Sequence, residues 1–183
     1  MLDERIGKKA YLNPGLGISG GNLERDIASI KKLTKFQKNL KHLINSFEKN
    51  SDYMKSWVYR VLKERKLLNN VNKSISILGI AYKENTNSTK NSPSLKLIKS
   101  LKGKNIRVYD PKAKLNIQQK NCKQFKNIKE TLLKSNILIL MVPWNEFKNI
   151  KLKKNIRFII DPFRILRNKE FFKKRVKYFS LGK

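Results

Sequence analysis

Apolar residues at Ile27, Ile30, Leu33, Phe36, Leu40, Leu43, Ile44 and Phe47 recur at steps of three and four. That spacing gathers them on one face of a helix and predicts an amphipathic segment, broken near Thr34. Asn50-Ser51-Asp52 interrupts the stripe and offers a fresh N-cap. Met54, Trp57, Val58, Val61 and Leu62 then form the stripe of a second helix ending near Leu68. Such a stripe reads first as helix–helix core. Upstream, residues 1–21 read as irregular chain ending in a glycine-rich loop, with Asn22 or Ser19 placed to cap the first helix.

After Asn69-Asn-Val-Asn72, the best linker in the chain, the period changes. Ser74–Ile80 reads as a buried strand. Ser92-Pro93 starts a helix with proline just inside it, Leu95, Leu97, Ile98 and Leu101 supply its apolar positions, and Gly103 stops it. Ile106–Tyr109 is a second strand closed by Asp110-Pro111, and Cys122–Phe125 a short third one. Ile128–Leu133 reads as a helix. Ile137–Val142 is a continuous apolar run, as expected of a parallel strand covered on both faces. Arg157–Asp161 is the next strand, Glu170–Lys174 a short helix and Val176–Ser180 a terminal strand. Strands alternating with helices imply an α/β fold, a parallel sheet closed by right-handed crossovers. Residues 1–70 are expected to form the glycine loop and helical region, and residues 71–183 the sheet domain. No internal repeat is visible.

Size and composition permit this plan. A chain of 183 residues that is 39% hydrophobic, with nine Phe, six Tyr and two Trp, can bury a core. No apolar run approaches the roughly 20 residues of a membrane span. Met-Leu-Asp-Glu-Arg at the start lacks a basic region followed by an apolar stretch, so no signal peptide is expected. Cys122 is the only cysteine, which excludes an internal disulfide and fits a reducing cytoplasm.

The net charge of +30 raises nucleic acid or an acidic membrane as partners. Lysine, asparagine and isoleucine, at 34, 20 and 19 residues, all have AT-rich codons, so the charge also fits compositional drift of the surface. Lysine outnumbers arginine, the better bidentate phosphate reader, 34 to 9, and is spread along the whole chain. Both features favour drift, with non-specific polyanion binding at low salt. A dedicated polyanion- or nucleic-acid-binding protein stays as the alternative.

The densest chemical signal is Tyr11-Leu-Asn-Pro-Gly-Leu-Gly-Ile-Ser-Gly-Gly-Asn-Leu-Glu-Arg-Asp26. Gly15, Gly17 and Gly20 spell G-x-G-x-x-G, but the dinucleotide fingerprint needs a buried strand before it. Lys8-Lys-Ala-Tyr-Leu-Asn-Pro14 is no such strand. What remains is a glycine loop opening a helix, suited to close backbone approach by a ligand and to an anion at the helix start.

This stretch resembles a loop of the UDP-glucose/GDP-mannose dehydrogenase family, R-I-G…P-G-x-G-x-G-G-x-C-x-x-K-D. It aligns as Arg5-Ile-Gly7 and then Pro14 to Asp26, with Ser19 where glycine is usual and Asn22 where the family keeps a cysteine nucleophile. A second family motif, G-x-A-F-K-x-N-T-D-D-x-R-x-S-P, matches Gly79-Ile-Ala-Tyr-Lys-Glu-Asn-Thr-Asn-Ser-Thr-Lys-Asn-Ser-Pro93. Here Asn87 and Ser88 replace the aspartates and Lys90 the arginine. Tyr109-Asp-Pro111, Pro143-Trp-Asn-Glu-Phe147 and Ile160-Asp161 with Arg164 extend the resemblance over nearly the whole chain.

The resemblance implies a helical dimerisation segment followed by a Rossmann-like domain that binds a UDP- or GDP-sugar. It places Tyr11 and the backbone of Gly15, Gly17, Ser19, Gly20 and Gly21 beside the nucleotide and sugar. Lys83 would contact the sugar, with Asn85 and Thr86 of the same motif at the substrate. Lys90 would sit near the diphosphate, with charge but no bidentate fork. Arg5 would reach into a neighbouring subunit's site. The family oxidises the sugar's C6 alcohol twice with NAD, the second time through a thioester on the cysteine. Asn22 has no nucleophile for that step, whereas Asp26 matches the family's acid–base aspartate. On its residues alone, Asp26 is a first-turn carboxylate favoured by the helix dipole. The family's NAD-binding domain precedes the matched region, so this chain alone is expected neither to bind NAD in the family's manner nor to oxidise a sugar. A gene fragment, a partner of a separate NAD-domain chain and a degenerate binding or dimerisation module all fit that expectation. On the residues alone, His42 reads as a surface group, Cys122 as a core thiol, and Asp110 as a candidate ribose-binding acid.

Overall fold

The computed structural model describes residues 15–69, 74–166 and 176–182. The expected helix at Glu170–Lys174, most of the linker, and the site candidates Arg5 and Tyr11 lie outside the described residues. Three helices come first: α1 (Asn22–Leu33), α2 (Lys38–Lys55) and α3 (Trp57–Glu64). They are followed by β1 (Ser74–Leu78), α4 (Pro93–Ser100), β2 (Ile106–Tyr109), β3 (Cys122–Gln124), α5 (Ile128–Thr131) and β4 (Ser135–Leu140). A 3-10 turn at Asn145–Asn149, β5 (Phe158–Ile160) and β6 (Lys177–Phe179) complete the order.

The six strands form one parallel sheet in the order β3-β2-β1-β4-β5-β6. Each strand expected from the sequence is present: β2 has the expected bounds, β1, β3, β5 and β6 are shorter by one or two residues, and β4 is shifted two residues toward the N-terminus. β4 is buried at every position, as its unbroken apolar run requires. Ser76 and Ser135 enter this interior because they satisfy each other: Ser76 Oγ bonds Ser135 Oγ and donates to the Thr131 carbonyl, both at 2.7 Å.

Helix starts follow local chemistry in one case and not in another. Ser92 caps α4 as expected, its Oγ accepting from Ser94 N at 3.2 Å with Pro93 at the first helical position. Neither Asn22 nor Ser19 caps α1; Gly21 holds the N-cap with no side-chain bond. Ser19 Oγ instead donates to the Tyr82 carbonyl at 3.3 Å.

The break at Thr34 is present, but Asn50-Ser51-Asp52 does not end a helix. α2 runs through it to Lys55. Asparagine, serine and aspartate weaken helices by competing for backbone bonds, and here two of the three side chains are occupied elsewhere. Ser51 Oγ accepts from Ile18 N at 2.9 Å, and Asp52 pairs with Lys96 at 2.8 Å. α3 ends at Glu64, before the expected Leu68, in a turn where Lys66 takes φ 53°.

Val58 and Leu62 of α3 and Leu16 of the glycine loop belong to the same buried cluster as the sheet. The apolar face of α1 and α2 does not: Leu33, Phe36, Leu40 and Leu43 are exposed, Phe36 at 90%. His42 is exposed, and Cys122 is half-buried, where burial pushes its thiol up to about 11 and leaves it a poor nucleophile.

Candidate functional site

In an open parallel sheet, ligands collect beyond the strand C-termini where the strand order reverses. Here that point lies between β1 and β4, which are neighbours although β2 and β3 intervene in the chain. The segments leaving them, Tyr82–Asn85 and Met141–Pro143, form one wall of a cleft of about 860 Å³. Gly15–Ser19 and the α2 residues Phe47, Asn50, Ser51 and Met54 form the facing wall, with Leu23, Pro93 and Phe163 at its edges.

Four contacts fix the glycine loop. Ile18 N donates to Ser51 Oγ at 2.9 Å and Ser19 Oγ to the Tyr82 carbonyl. Gly20 N donates to the Lys90 carbonyl at 3.2 Å, and Asn91 Nδ2 donates to the Gly20 carbonyl at 3.4 Å. Gly17 and Gly20 take φ of +81° and +85°, which side-chain-bearing residues rarely adopt. A Cβ at Gly17 would overlap the Ser51 carbonyl oxygen, and one at Gly20 would lie 2.7 Å from the Tyr82 ring. The loop thus packs backbone-to-backbone on α2 and backbone-to-ring on the second motif.

Of the residues expected at a site, Gly15, Gly17, Ser19, Lys83 and Asn85 line the cleft. Gly20 lies behind it against Tyr82, and the Lys90 amine lies over Gly21. Thr86 does not line the cleft; its Oγ1 accepts from Ser88 N at 3.2 Å and shapes the turn that presents Lys83. Asn22 and Asp26 stand apart from it as well, exposed on α1, with Asp26 3.6 Å from Arg25 in an exposed pair. Leu23 of the same helix does reach the cleft.

Asp110 is not free to bind a ribose. It is 6% exposed, and Oδ2 accepts from Ile80 N at 2.7 Å, Ala81 N at 3.0 Å and Trp144 Nε1 at 3.3 Å. Oδ1 accepts from Lys112 N at 2.9 Å and Ala113 N at 2.7 Å. Its acceptor capacity is spent on folding three loops together. With the single Gly79 after β1 and this acid engaged, the sheet's residues do not fit a dinucleotide bound in the usual manner. Beside Asp110, burial and the neighbouring Glu146 carboxylate push the Tyr109 phenol up to about 12, so it stays neutral.

The cleft is mostly apolar, with a few convergent polar groups: the loop's backbone, the Lys83 ammonium, and the start of α4, whose first residue Pro93 faces in. The positive end of that helix and the lysine favour the negative part of a ligand, and the apolar walls favour its flat or aliphatic part. Asn50 and Ser51 read as a helix break, Met141 as part of a core strand and Phe163 as nothing in particular, so none of the four was marked as a site residue by the sequence. Among the described residues no group of three or more His, Cys, Asp or Glu side chains could hold a metal, and no helix is long and apolar enough to cross a membrane.

Comparison with known proteins bears on this geometry. The model of the UDP-glucose/GDP-mannose dehydrogenase family, UDP binding domain, matches residues 76–168. The chain is 29% identical over 194 residues to UDP-glucose 6-dehydrogenase of Rickettsia prowazekii, covering 99% of this chain and 44% of that protein. It is 31% identical over 145 residues to UDP-N-acetyl-D-mannosamine dehydrogenase of Methanococcus vannielii, covering 76% of this chain and 31% of that one. The solved structure of a UDP-glucose dehydrogenase from Pyrobaculum islandicum superposes with a TM-score of 0.78 at 19% identity, over 97% of this chain and 40% of that chain; this likeness concerns the fold. The chain therefore spans less than half the length of the curated relatives it matches.

Proposed function

The chain belongs to the UDP-glucose/GDP-mannose dehydrogenase family, and on that premise we propose that its cleft binds a UDP- or GDP-sugar as part of a nucleotide-sugar 6-dehydrogenase. One observation carries this: the two family motifs, about 60 residues apart in the chain, converge as facing walls of a single cleft at the sheet's switch point. In this reading the Gly15–Gly21 backbone borders the nucleotide and sugar, Lys83 and Asn85 contact the sugar, and Lys90 supplies charge near the diphosphate. Thr86 holds the turn. Arg5, from a second copy, and Tyr11 complete the site.

The catalytic half of the reading is separate. Asn22 occupies the family's cysteine position and cannot form a thioester, which leaves Asp26 as the retained acid–base group on α1. NAD is assigned to a domain outside this sheet, on the rest of the polypeptide or on another chain, and the exposed first turn of α1 is where such a domain would approach. The 183 residues alone are expected to give no NADH from UDP-glucose.

Thermal stabilisation tests the binding site directly. At near-physiological salt, UDP-glucose, UDP, GDP-mannose and NAD are compared with inorganic pyrophosphate as a charge control. A ligand at about 100 times its dissociation constant adds roughly 2.7 kcal/mol. Stabilisation by one sugar nucleotide well beyond that by pyrophosphate is expected. Equal responses would instead favour the alternative of a non-catalytic polyanion binder driven by the +30 charge.

The exposed face of α1 and α2 is assigned to a second copy of the chain. Leu33, Leu40 and Leu43 lie on it, exposed at 82%, 42% and 50%, an apolar patch that favours a partner surface. Analytical ultracentrifugation at micromolar concentration is expected to give a dimer. Leu40→Glu with Leu43→Glu should give a folded monomer, since both side chains are already about half exposed. A wild-type monomer would sink this assignment together with Arg5's role in trans, leaving the cleft's own lining residues in place.

A further inference from the structure

We propose that the groove between α4 and the 117–120 segment is a second anion site, taking a linear chain of phosphates. It encloses about 750 Å³ and lies on the far half of α4 from the cleft. Lys96, Lys99, Ser100 and Lys102 line it from the α4 side and Gln118, Gln119 and Lys120 from the other. No acidic side chain lines it. Lys96 is held by Asp52 at 2.8 Å, while Lys99, Lys102 and Lys120 have no carboxylate partner among the described residues.

Three uncompensated ammonium groups around one concavity repel one another, and a ligand carrying several negative charges relieves that repulsion. A second feature is independent of the charge. The Gln119 amide nitrogen is buried with no acceptor, a donor left unused by the fold, so a small turn of that amide would present it to an oxyanion. The groove is much larger than one phosphate. Its lining is rich in donors and poor in fixed acceptors, which suits phosphate oxygens better than a sugar chain whose hydroxyls need acceptors. It contains no aromatic side chain on which a base could stack. The shared chemistry is therefore a phosphate chain, free or as the tail of a nucleotide. Pro93 borders the sugar-nucleotide cleft while Lys96, Lys99 and Ser100 border this groove, so the two sites share one helix and begin about one turn apart along it.

The general positive charge of the chain is the competing explanation, and a charge-matched control separates them. Binding of inorganic tripolyphosphate is measured by calorimetry at about 150 mM salt, with ATP as a second arm. The groove variant Lys99→Ala/Lys102→Ala/Lys120→Ala is compared with Lys151→Ala/Lys153→Ala/Lys154→Ala, which removes the same charge from exposed positions elsewhere. The groove variant is expected to bind at least tenfold more weakly and the control within about twofold of wild type. Lys→Arg at the same three groove positions should retain binding, which guards against a folding defect. Gln119→Leu should weaken binding several-fold without changing its salt dependence. Tighter binding of ATP than of tripolyphosphate would make a nucleotide the source; equal binding would make it the free chain. Equal losses in the two alanine variants, or no binding of tripolyphosphate at this salt, would overturn the proposal. Stabilisation by UDP-glucose should be unchanged in the groove variant, so this site and the cleft succeed or fail separately.

Discussion

Asp110→Ala is expected to cost about 4 kcal/mol or more of unfolding free energy, enough to leave the chain marginal or unfolded. The carboxylate accepts four backbone N–H groups and one indole N–H. Four of the five donor residues are buried, Ile80 at 0%, Ala81 at 1%, Ala113 at 2% and Trp144 at 6% exposed, while Lys112 is exposed. Each donor left without an acceptor in such a place costs about 1–3 kcal/mol. Relaxation and water entry recover part of the sum, which is why the expected loss is well below five times that figure. Asp110→Asn keeps one oxygen but turns an NH₂ toward donors on the other side, so about half the effect is expected. Urea denaturation followed by circular dichroism measures both. A loss below about 1 kcal/mol for the alanine variant would mean that these loops are held by their apolar packing instead.

The same residue shows where sequence reading stops. An acid at the end of the second strand of a parallel sheet marks a position, and position alone suggests a ribose ligand. What the acid does depends on Ile80, Trp144 and Ala113, which come from three separate loops. The strands themselves were legible because burial on both faces leaves a run of apolar residues that nothing else explains, as in Ile137–Leu140. The start of α4 was legible because Ser92-Pro93 acts within one turn. The continuity of α2 was not, because Ser51 bonds Ile18 from 33 residues away and no local rule anticipates that partner.

The site divided along the same line. Glycines with positive φ leave a mark in the sequence, and the loop they form is one wall of the cleft. The opposite wall includes Met141 and Val142, which read as the end of a core strand and carry no sign of facing a ligand. Asn22 and Asp26 were singled out by motif position. They stand on an exposed helix face, where any chemistry would need a surface these residues do not themselves supply.

The second large effect is expected at Gly17. Gly17→Ala must force an alanine into φ +81° and press its Cβ into the Ser51 carbonyl oxygen. That oxygen belongs to the backbone of α2, so it cannot swing aside as a side-chain end could. The strained backbone alone costs about 1–3 kcal/mol. The cheaper response is for the loop to lift away from α2, which breaks the Ile18–Ser51 hydrogen bond and displaces one wall of the cleft. Affinity for the stabilising sugar nucleotide is therefore expected to fall at least tenfold, while the sheet, whose buried cluster takes Leu16 alone from the described part of this loop, stays folded. Gly15→Ala is the internal control. It lines the same cleft, yet a Cβ there meets nothing within 4 Å, so stability should stay within about 0.5 kcal/mol of wild type. Calorimetric titration beside thermal melts separates the two quantities. If Gly17→Ala melted several degrees lower but bound as tightly as Gly15→Ala, the loop would be a structural strap and the ligand would rest on the Tyr82–Asn85 wall alone. Unchanged melting and unchanged affinity together would mean that α2 yields at Ser51, and that the backbone contact fixing this wall is not rigid.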